Sequence, residues 1–259
     1  MTQSLSEVLL ETTGVGISFG GLRAVDQFSI KVKRGEIVGL IGPNGAGKTT
    51  AFNMITGVYK PNDGTITLAN IKIDGRPTHE ITRLGIARTF QNIRLFRALT
   101  VLDNVRTALH HQVHYNLFGA VFRTPNYRRT ERELIDRSME LLAVFGLDKR
   151  VRDLAGSLPY GDQRKLEIVR ALATNPQLLL LDEPAAGMNP QETANLVELI
   201  HRIRREFGVA VLLIEHDMSL VMKICERIYV LEYGRLIAHG VPAEIKANER
   251  VIKAYLGEE

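Results

Sequence analysis

The sequence predicts an α/β fold built on a mostly parallel, buried sheet, and three stretches predict it. The apolar run Ile37-Val38-Gly39-Leu40-Ile41 leads into Gly42-Pro43-Asn44-Gly45-Ala46-Gly47-Lys48-Thr49, after which Thr50 to Ile55 reads as a helix. Leu178-Leu179-Leu180-Leu181 ends in Asp182-Glu183, and Val209 to Ile214 ends in Glu215-His216-Asp217. Uninterrupted apolar runs of this length suit strands covered on both faces, as in a parallel sheet. In all three the polar residues follow the strand, so the chemistry collects along one edge of the sheet.

The first stretch is the pattern G-x-x-x-x-G-K-[ST] in the strand–loop–helix setting that its physics requires. Its glycines let the loop curl so that backbone N–H groups converge on one anion, and the helix beginning near Gly47 adds its positive dipole end. Lys48 is placed to reach the β- and γ-phosphates, and the Thr49 hydroxyl to ligate Mg²⁺. The chain is expected to bind a nucleoside triphosphate.

From the beginning of the chain, Glu11–Phe19 and Ala24–Val32 read as strands of an antiparallel ribbon about Gly20-Gly21. Phe19 offers an aromatic face on which adenine can stack; the plainer alternative is a half-buried strand aromatic. After the phosphate-loop helix, Pro61-Asn62-Asp63-Gly64 is a turn, and Thr65–Leu68 with Ile71–Ile73 forms a hairpin about Ala69-Asn70. Ile86–Gln91 is a further short strand whose final amide can both donate and accept, so Gln91 can touch Mg²⁺ or its water. From Asn92 to Ala155 the pattern turns helical: a helix capped by Thr100, and a second over Arg128–Phe145 stopped by Gly146. Between them His110 and His114 stand at helical i,i+4 spacing without a carboxylate or cysteine to complete a metal set. The apolar patch Leu117–Phe122 is read as core or as a docking surface.

Ser157–Gln163 is a turn opening a helix over Arg164–Thr174. Adjacent carboxylates at the end of a buried strand are costly unless used, which points Asp182 to the Mg²⁺ shell and Glu183 to an attacking water. Asn189-Pro190 caps a helix over Gln191–Glu206. His216 falls at the same sheet edge as Glu183, within range of a γ-phosphate. A hairpin about Tyr233-Gly234 and one terminal helix, Ala243–Leu256, complete the chain.

Composition narrows the function classes. The 259 residues allow one large domain, and a formal charge of +4 is too mild to argue for a nucleic-acid partner. One cysteine, Cys225, excludes an intrachain disulfide. The polar stretch Met1–Glu11 predicts no secretory leader, and no apolar run is long enough to span a bilayer. Any membrane part of the machine is expected on other chains.

Taken together, Phe19, the phosphate loop, Gln91, the helical insert, the turn Leu158-Pro159-Tyr160-Gly161-Asp162, Asp182-Glu183 and His216 stand in an order that resembles the ATP-binding-cassette ATPases over the whole chain. The resemblance implies a P-loop NTPase fold: a RecA-like mixed sheet core with an antiparallel β subdomain (1–91 and 156–259) and an α-helical subdomain (92–155), all one nucleotide-binding domain. It implies ATP and Mg²⁺ as cofactors. Gly42, Pro43, Asn44, Gly45, Ala46, Gly47, Lys48, Thr49, Thr50, Phe19 and Gln91 would hold the nucleotide. Thr49, Gln91 and Asp182 would hold the metal, Glu183 would be the catalytic carboxylate, and His216 the switch histidine. Two such chains pair head to tail in that family, each completing the other's site with its signature turn.

The segment Leu158–Glu167, Ala186-Gly187-Met188-Asn189-Pro190 and the ending Tyr255-Leu256-Gly257 narrow the likeness to importers of branched-chain amino acids. That implies two transmembrane permease subunits, a periplasmic binding protein and a sister ATPase, with this chain peripheral on the cytoplasmic side of the inner membrane. Transporters of urea and amides or of lipopolysaccharide, and soluble cassette proteins, are the competing expectations. Two departures stand out. Pro159 replaces the signature serine and lacks an N–H, a loss of about 1.5–3 kcal/mol of bonding to a charged group, felt in trans by the partner's site. Asn189 stands where the family usually has Asp.

Overall fold

The chain divides into two units, Met1–Arg88 with Gln177–Glu259, and Thr89–Pro176. The computed structural model describes residues 7–110, 113, 122 and 124–256. In the first unit, β1 (Val8–Phe19) is the common antiparallel partner of β2 (Leu22–Phe28) and β3 (Lys31–Lys33). The single strand expected over Ala24–Val32 is therefore broken. Gln27 takes a positive φ of 52°, and the Ile30 N–H donates to the Thr12 hydroxyl, which shifts the chain onto an earlier part of β1.

β4 (Ile37–Ile41) is buried at every residue and feeds the phosphate loop and α1 (Lys48–Ile55). β5 (Asp63–Leu68) and β6 (Ile71–Lys72) make the expected hairpin, with Ala69 and Asn70 both at positive φ as a tight two-residue turn needs. A short α2 (Thr78–Arg83) was not foreseen. β7 (Ile86–Arg88) stops three residues short of the expected strand end at Gln91.

The second unit is helical. α3 (Val101–Leu109) is capped as expected by the Thr100 hydroxyl, which accepts from the Asp103 N–H. α4 (Pro125–Val144) starts ahead of the expected Arg128 because Thr124 caps it and Pro125 takes the first turn. α5 (Tyr160–Ala173) starts four residues before the expected Arg164, with Pro159 as its N-cap. Tyr160, Gly161 and Asp162 are thus the first turn of a helix rather than a preceding turn. α5 packs on α3 and α4, with Leu166, Val169, Val105 and Leu142 all buried, so residues 156–176 fall in the helical unit, whereas the sequence places that boundary at 155/156. His114 and Leu117–Val121 lie outside the described residues.

Back in the first unit, β8 (Leu178–Asp182), β9 (Ala210–Ile214) and β10 (Arg227–Glu232) join β4 and β7 in a sheet closed by β11 (Arg235–Gly240), in the order β11-β10-β4-β9-β8-β7. Every pairing is parallel except β10 with β11. α6 (Pro190–Phe207) carries the expected Asn189 cap, completed by Glu192 into a reciprocal capping box. α7 (Met218–Ile224) follows β9, capped by Asp217. The one terminal helix expected over Ala243–Leu256 is two, α8 (Pro242–Lys246) and α9 (Glu249–Leu256), because the Asn248 side chain caps α9 by accepting from the N–H groups of Arg250 and Val251. Among the described residues no helix is long and apolar enough to cross a membrane.

Candidate nucleotide site

Register builds the site. Ile214 pairs with Leu40 of β4 on one side and with Asp182 of β8 on the other, so the three strands end level. The phosphate loop, Glu183 and Glu215–Asp217 all leave from that edge.

The loop's shape depends on glycine at two places. Gly42 has φ 151°, and a Cβ there would lie 2.0 Å from the Leu231 carbonyl oxygen. Gly47, the N-cap of α1, has φ 100°, and its Cβ would sit 2.8 Å from the Ala24 carbonyl. No side chain caps α1, so its first N–H groups, which have no acceptor within the helix, are left for an anion. The buried Lys48 ammonium donates to the loop's own carbonyls, Gly42 O at 2.6 Å and Pro43 O at 2.9 Å. Burial pushes its pKa down, while Glu183 and Asp182 pull it back up.

Glu183 is held in the left-handed region at φ 47°, its N–H donating to the Ile214 carbonyl at 2.9 Å. A non-glycine residue there stores strain, which accumulates at functional sites. The conformation brings its Oε1 to 3.4 Å from His216 Nδ1. The largely exposed imidazole and the carboxylate thus share one corner, as the sequence reading expected. Phe19 is 45% exposed, its ring meeting Tyr59 edge-on with centroids 5.1 Å apart. That leaves apolar area at the end of β1 instead of in the core.

Two residues of this edge escaped the sequence reading. Glu215 is buried; its carboxylate accepts from the N–H groups of Ala185 (2.9 Å) and His216 (3.2 Å), tying the loop after Glu183 to the end of β9. Desolvation raises its pKa, and those N–H groups and His216 offset part of the rise. Arg88, the last residue of β7, places Nη2 2.7 Å from Asp182 Oδ2, with both side chains almost fully covered. The one signal for either is a charged residue ending an apolar run, which by itself also fits a surface charge.

Gln91 and the signature turn belong to the second unit, where a buried ion pair organises them. Arg164 donates from Nη1 to the Phe90 carbonyl (2.6 Å) and to Glu167 Oε2 (3.0 Å), and from Nη2 to the Gln91 carbonyl (2.6 Å). Glu167 Oε1 accepts from the N–H groups of Phe90 (3.3 Å) and Arg94 (3.2 Å). Two charged residues within a helix carry no sign of burial in the sequence.

An anion-binding loop with a buried lysine, level with a strained carboxylate against an imidazole, defines a phosphate-loop nucleotide hydrolase. Comparison with known proteins says which kind. Residues 25–186 match the ABC transporter family, and residues 235–259 match the family described as branched-chain amino acid ATP-binding cassette transporter. The chain is 50% identical over 254 residues to the high-affinity branched-chain amino acid transport ATP-binding protein LivG of Salmonella typhimurium, covering 98% of this chain and 100% of that one. It is 48% identical to BraF of Pseudomonas aeruginosa, a protein of the same description, with the same coverage. The crystal structure of MJ1267, an ATP-binding cassette of an ABC transporter in its ADP conformation, superposes with a TM-score of 0.84 at 30% identity, covering 97% of this chain and 99% of that one. The chain belongs to the ABC transporter family, as an ATP-binding, ATP-hydrolysing member with an α/β P-loop fold.

Proposed function

We propose that this chain energises the uptake of leucine, isoleucine and valine across the inner membrane, as one of two unlike ATPase subunits beneath a pair of permeases served by a periplasmic binding protein. The hydrolytic part of this reading is carried by the Glu183–His216 pair, 3.4 Å apart at the edge from which the phosphate loop leaves. The substrate is supported by near-full-length likeness to LivG and BraF, whose names state it.

The donor set fits Mg²⁺. Among the described residues there is no cluster of three His, Cys, Asp or Glu side chains, as an all-protein metal cage would need. Thr49 and Asp182 offer hard oxygen ligands, in keeping with an ion that arrives largely hydrated and on phosphate. Bound there, Mg²⁺ would neutralise charge on the β- and γ-phosphates. The N–H groups at the start of α1 cradle the phosphates, and Lys48 exchanges its two loop carbonyls for phosphate oxygens. Phe19 stacks on the base. Glu183 takes the proton from the attacking water, with His216 close enough to orient it or to meet the γ-phosphate. Gln91 and Leu158–Asp162 keep the roles that the resemblance implies, metal coupling and completion of the partner's site. Since Pro159 carries no N–H, the weaker of two unequal sites is the one that uses this chain's signature.

The test is leucine uptake and ATPase in proteoliposomes containing the co-purified permeases, binding protein and sister ATPase. Glu183→Gln should retain ATP binding and lose hydrolysis and uptake by at least about 100-fold. Replacing the sister's corresponding glutamate should cost less. Equal losses would overturn the asymmetry. ATPase stimulated by another solute and not by branched-chain amino acids would overturn the substrate.

A further inference from the structure

Arg88 is joined to more of the nucleotide site than its place at a strand end suggests. β7 pairs with β8 so that Arg88 lies opposite Leu180, two residues before Asp182 and on the same face. Beyond the 2.7 Å contact with Asp182 Oδ2, its Nη1 donates to Asn53 Oδ1 at 2.6 Å and approaches the Thr56 hydroxyl at 3.4 Å. Its guanidinium also lies over the Phe52 ring, 5.5 Å from the centroid. Phe52 and Asn53 belong to α1, and Thr56 ends it. One buried cation therefore ties the helix of the phosphate loop to the acid-ended strand.

Lys48 is within electrostatic range of Asp182 and Glu183, and Arg88 is paired to Asp182, so Asp182 already faces positive charge before any ligand arrives. A buried carboxylate without a partner is open to a divalent cation as well as to a proton; one held by a guanidinium is not, because the incoming ion meets a fixed positive charge in a poorly screened setting. The triphosphate brings negative charge that offsets those cations.

We propose that Arg88 is a resident stand-in cation for Asp182: it holds the carboxylate in place while the site is empty, and makes divalent-metal binding conditional on nucleotide. Metal then enters with the nucleotide instead of ahead of it. Arg88 is a positioning residue, acting on the metal through Asp182. This goes beyond the transport reading and is tested without ATP turnover.

The measurement is Mn²⁺ binding to the full-length protein, followed by loss of the free-ion EPR signal, without nucleotide and then with ADP. The wild-type protein should show no saturable Mn²⁺ binding below about 1 mM without nucleotide. Arg88→Met should tighten nucleotide-free binding by at least about tenfold, and Arg88→Lys should return it towards wild type. Arg88→Gln keeps polar contacts without the charge and serves if Arg88→Met does not fold; it should tighten binding as well. Adding Asp182→Asn to either neutral variant should abolish the gain. The idea fails if a folded neutral variant binds Mn²⁺ within about twofold of wild type, or if wild type binds it tightly without nucleotide. Failure of the ATPase reading would show separately, as absence of ATP binding by the wild-type chain.

Discussion

Arg164→Met should be among the most damaging single substitutions outside the phosphate loop. The side chains of Arg164 and Glu167 are 2% and 5% exposed, so water does not replace what is removed. The change deletes the guanidinium bonds to the carbonyls of Phe90 and Gln91 and takes from buried Glu167 the cation bonded to it, leaving Arg170 in electrostatic range. Breaking a buried pair by removing one partner costs about 3–5 kcal/mol, mostly through the stranded charge. At roughly 2–4 °C per kcal/mol for a chain of this size, the melting temperature should fall by about 6–20 °C. The informative comparison is a double-mutant cycle with Glu167→Leu, read by thermal and urea unfolding. Removing both charges eliminates the stranded one, so the double variant should be less destabilised than the sum of the singles by at least about 1.5 kcal/mol. Purely additive losses would show that the pair is not a coupled unit and refute the reasoning.

Three further outcomes follow from groups in the first unit. Phe19→Ala should weaken binding of ATP and GTP alike, by about 1–3 kcal/mol, because stacking reads any base face; unchanged affinity in a fluorescence titration would return Phe19 to an ordinary strand aromatic. Burial raises the Glu215 pKa above its ordinary 4.5, so the stability this group contributes is complete below that value and is lost as pH rises through the raised one. Glu215→Gln should therefore gain stability relative to wild type as pH rises from about 5 to 8, measured by urea midpoints; a gain on acidification instead would contradict the assignment. Cys225 is 6% exposed, and burial pushes its thiol up to about 12. It should give no reaction with a thiol-specific disulfide reagent at about pH 8 until the protein is denatured, when one equivalent appears.

The sheet and its chemical edge were legible because their signals are local. A leucine run followed by two acids, or a glycine pattern between strand and helix, needs no knowledge of neighbours. The misplaced boundaries have a common cause in capping by side chains whose role shows only once the chain is folded. Thr124 starts α4 early, Asn248 divides the terminal helix, and the Thr12 hydroxyl breaks the strand after Phe28 from across the sheet. Arg88, Glu215 and the Arg164–Glu167 pair were missed for a different reason. Each looks like a surface charge until its partner is known, and those partners lie elsewhere in the chain: Asp182 for Arg88, Ala185 for Glu215, and the Phe90–Arg94 backbone for the pair.

The phosphate loop lies early in the chain, yet its walls are made late. β4 pairs with β9 and β10, the Leu231 carbonyl closes over Gly42, and the Gly234 N–H donates to the Ala46 carbonyl at 2.9 Å. During synthesis the loop therefore emerges with Ala24 and β4 already made but long before β9, β10 and the final hairpin, and residues 42–49 wait through most of translation for the rest of their frame. A nascent chain arrested before residue 234 should carry the whole glycine motif and retain no ATP. The final hairpin would then act as a completion signal, because residues 231 and 234 supply contacts to the loop at Gly42 and Ala46.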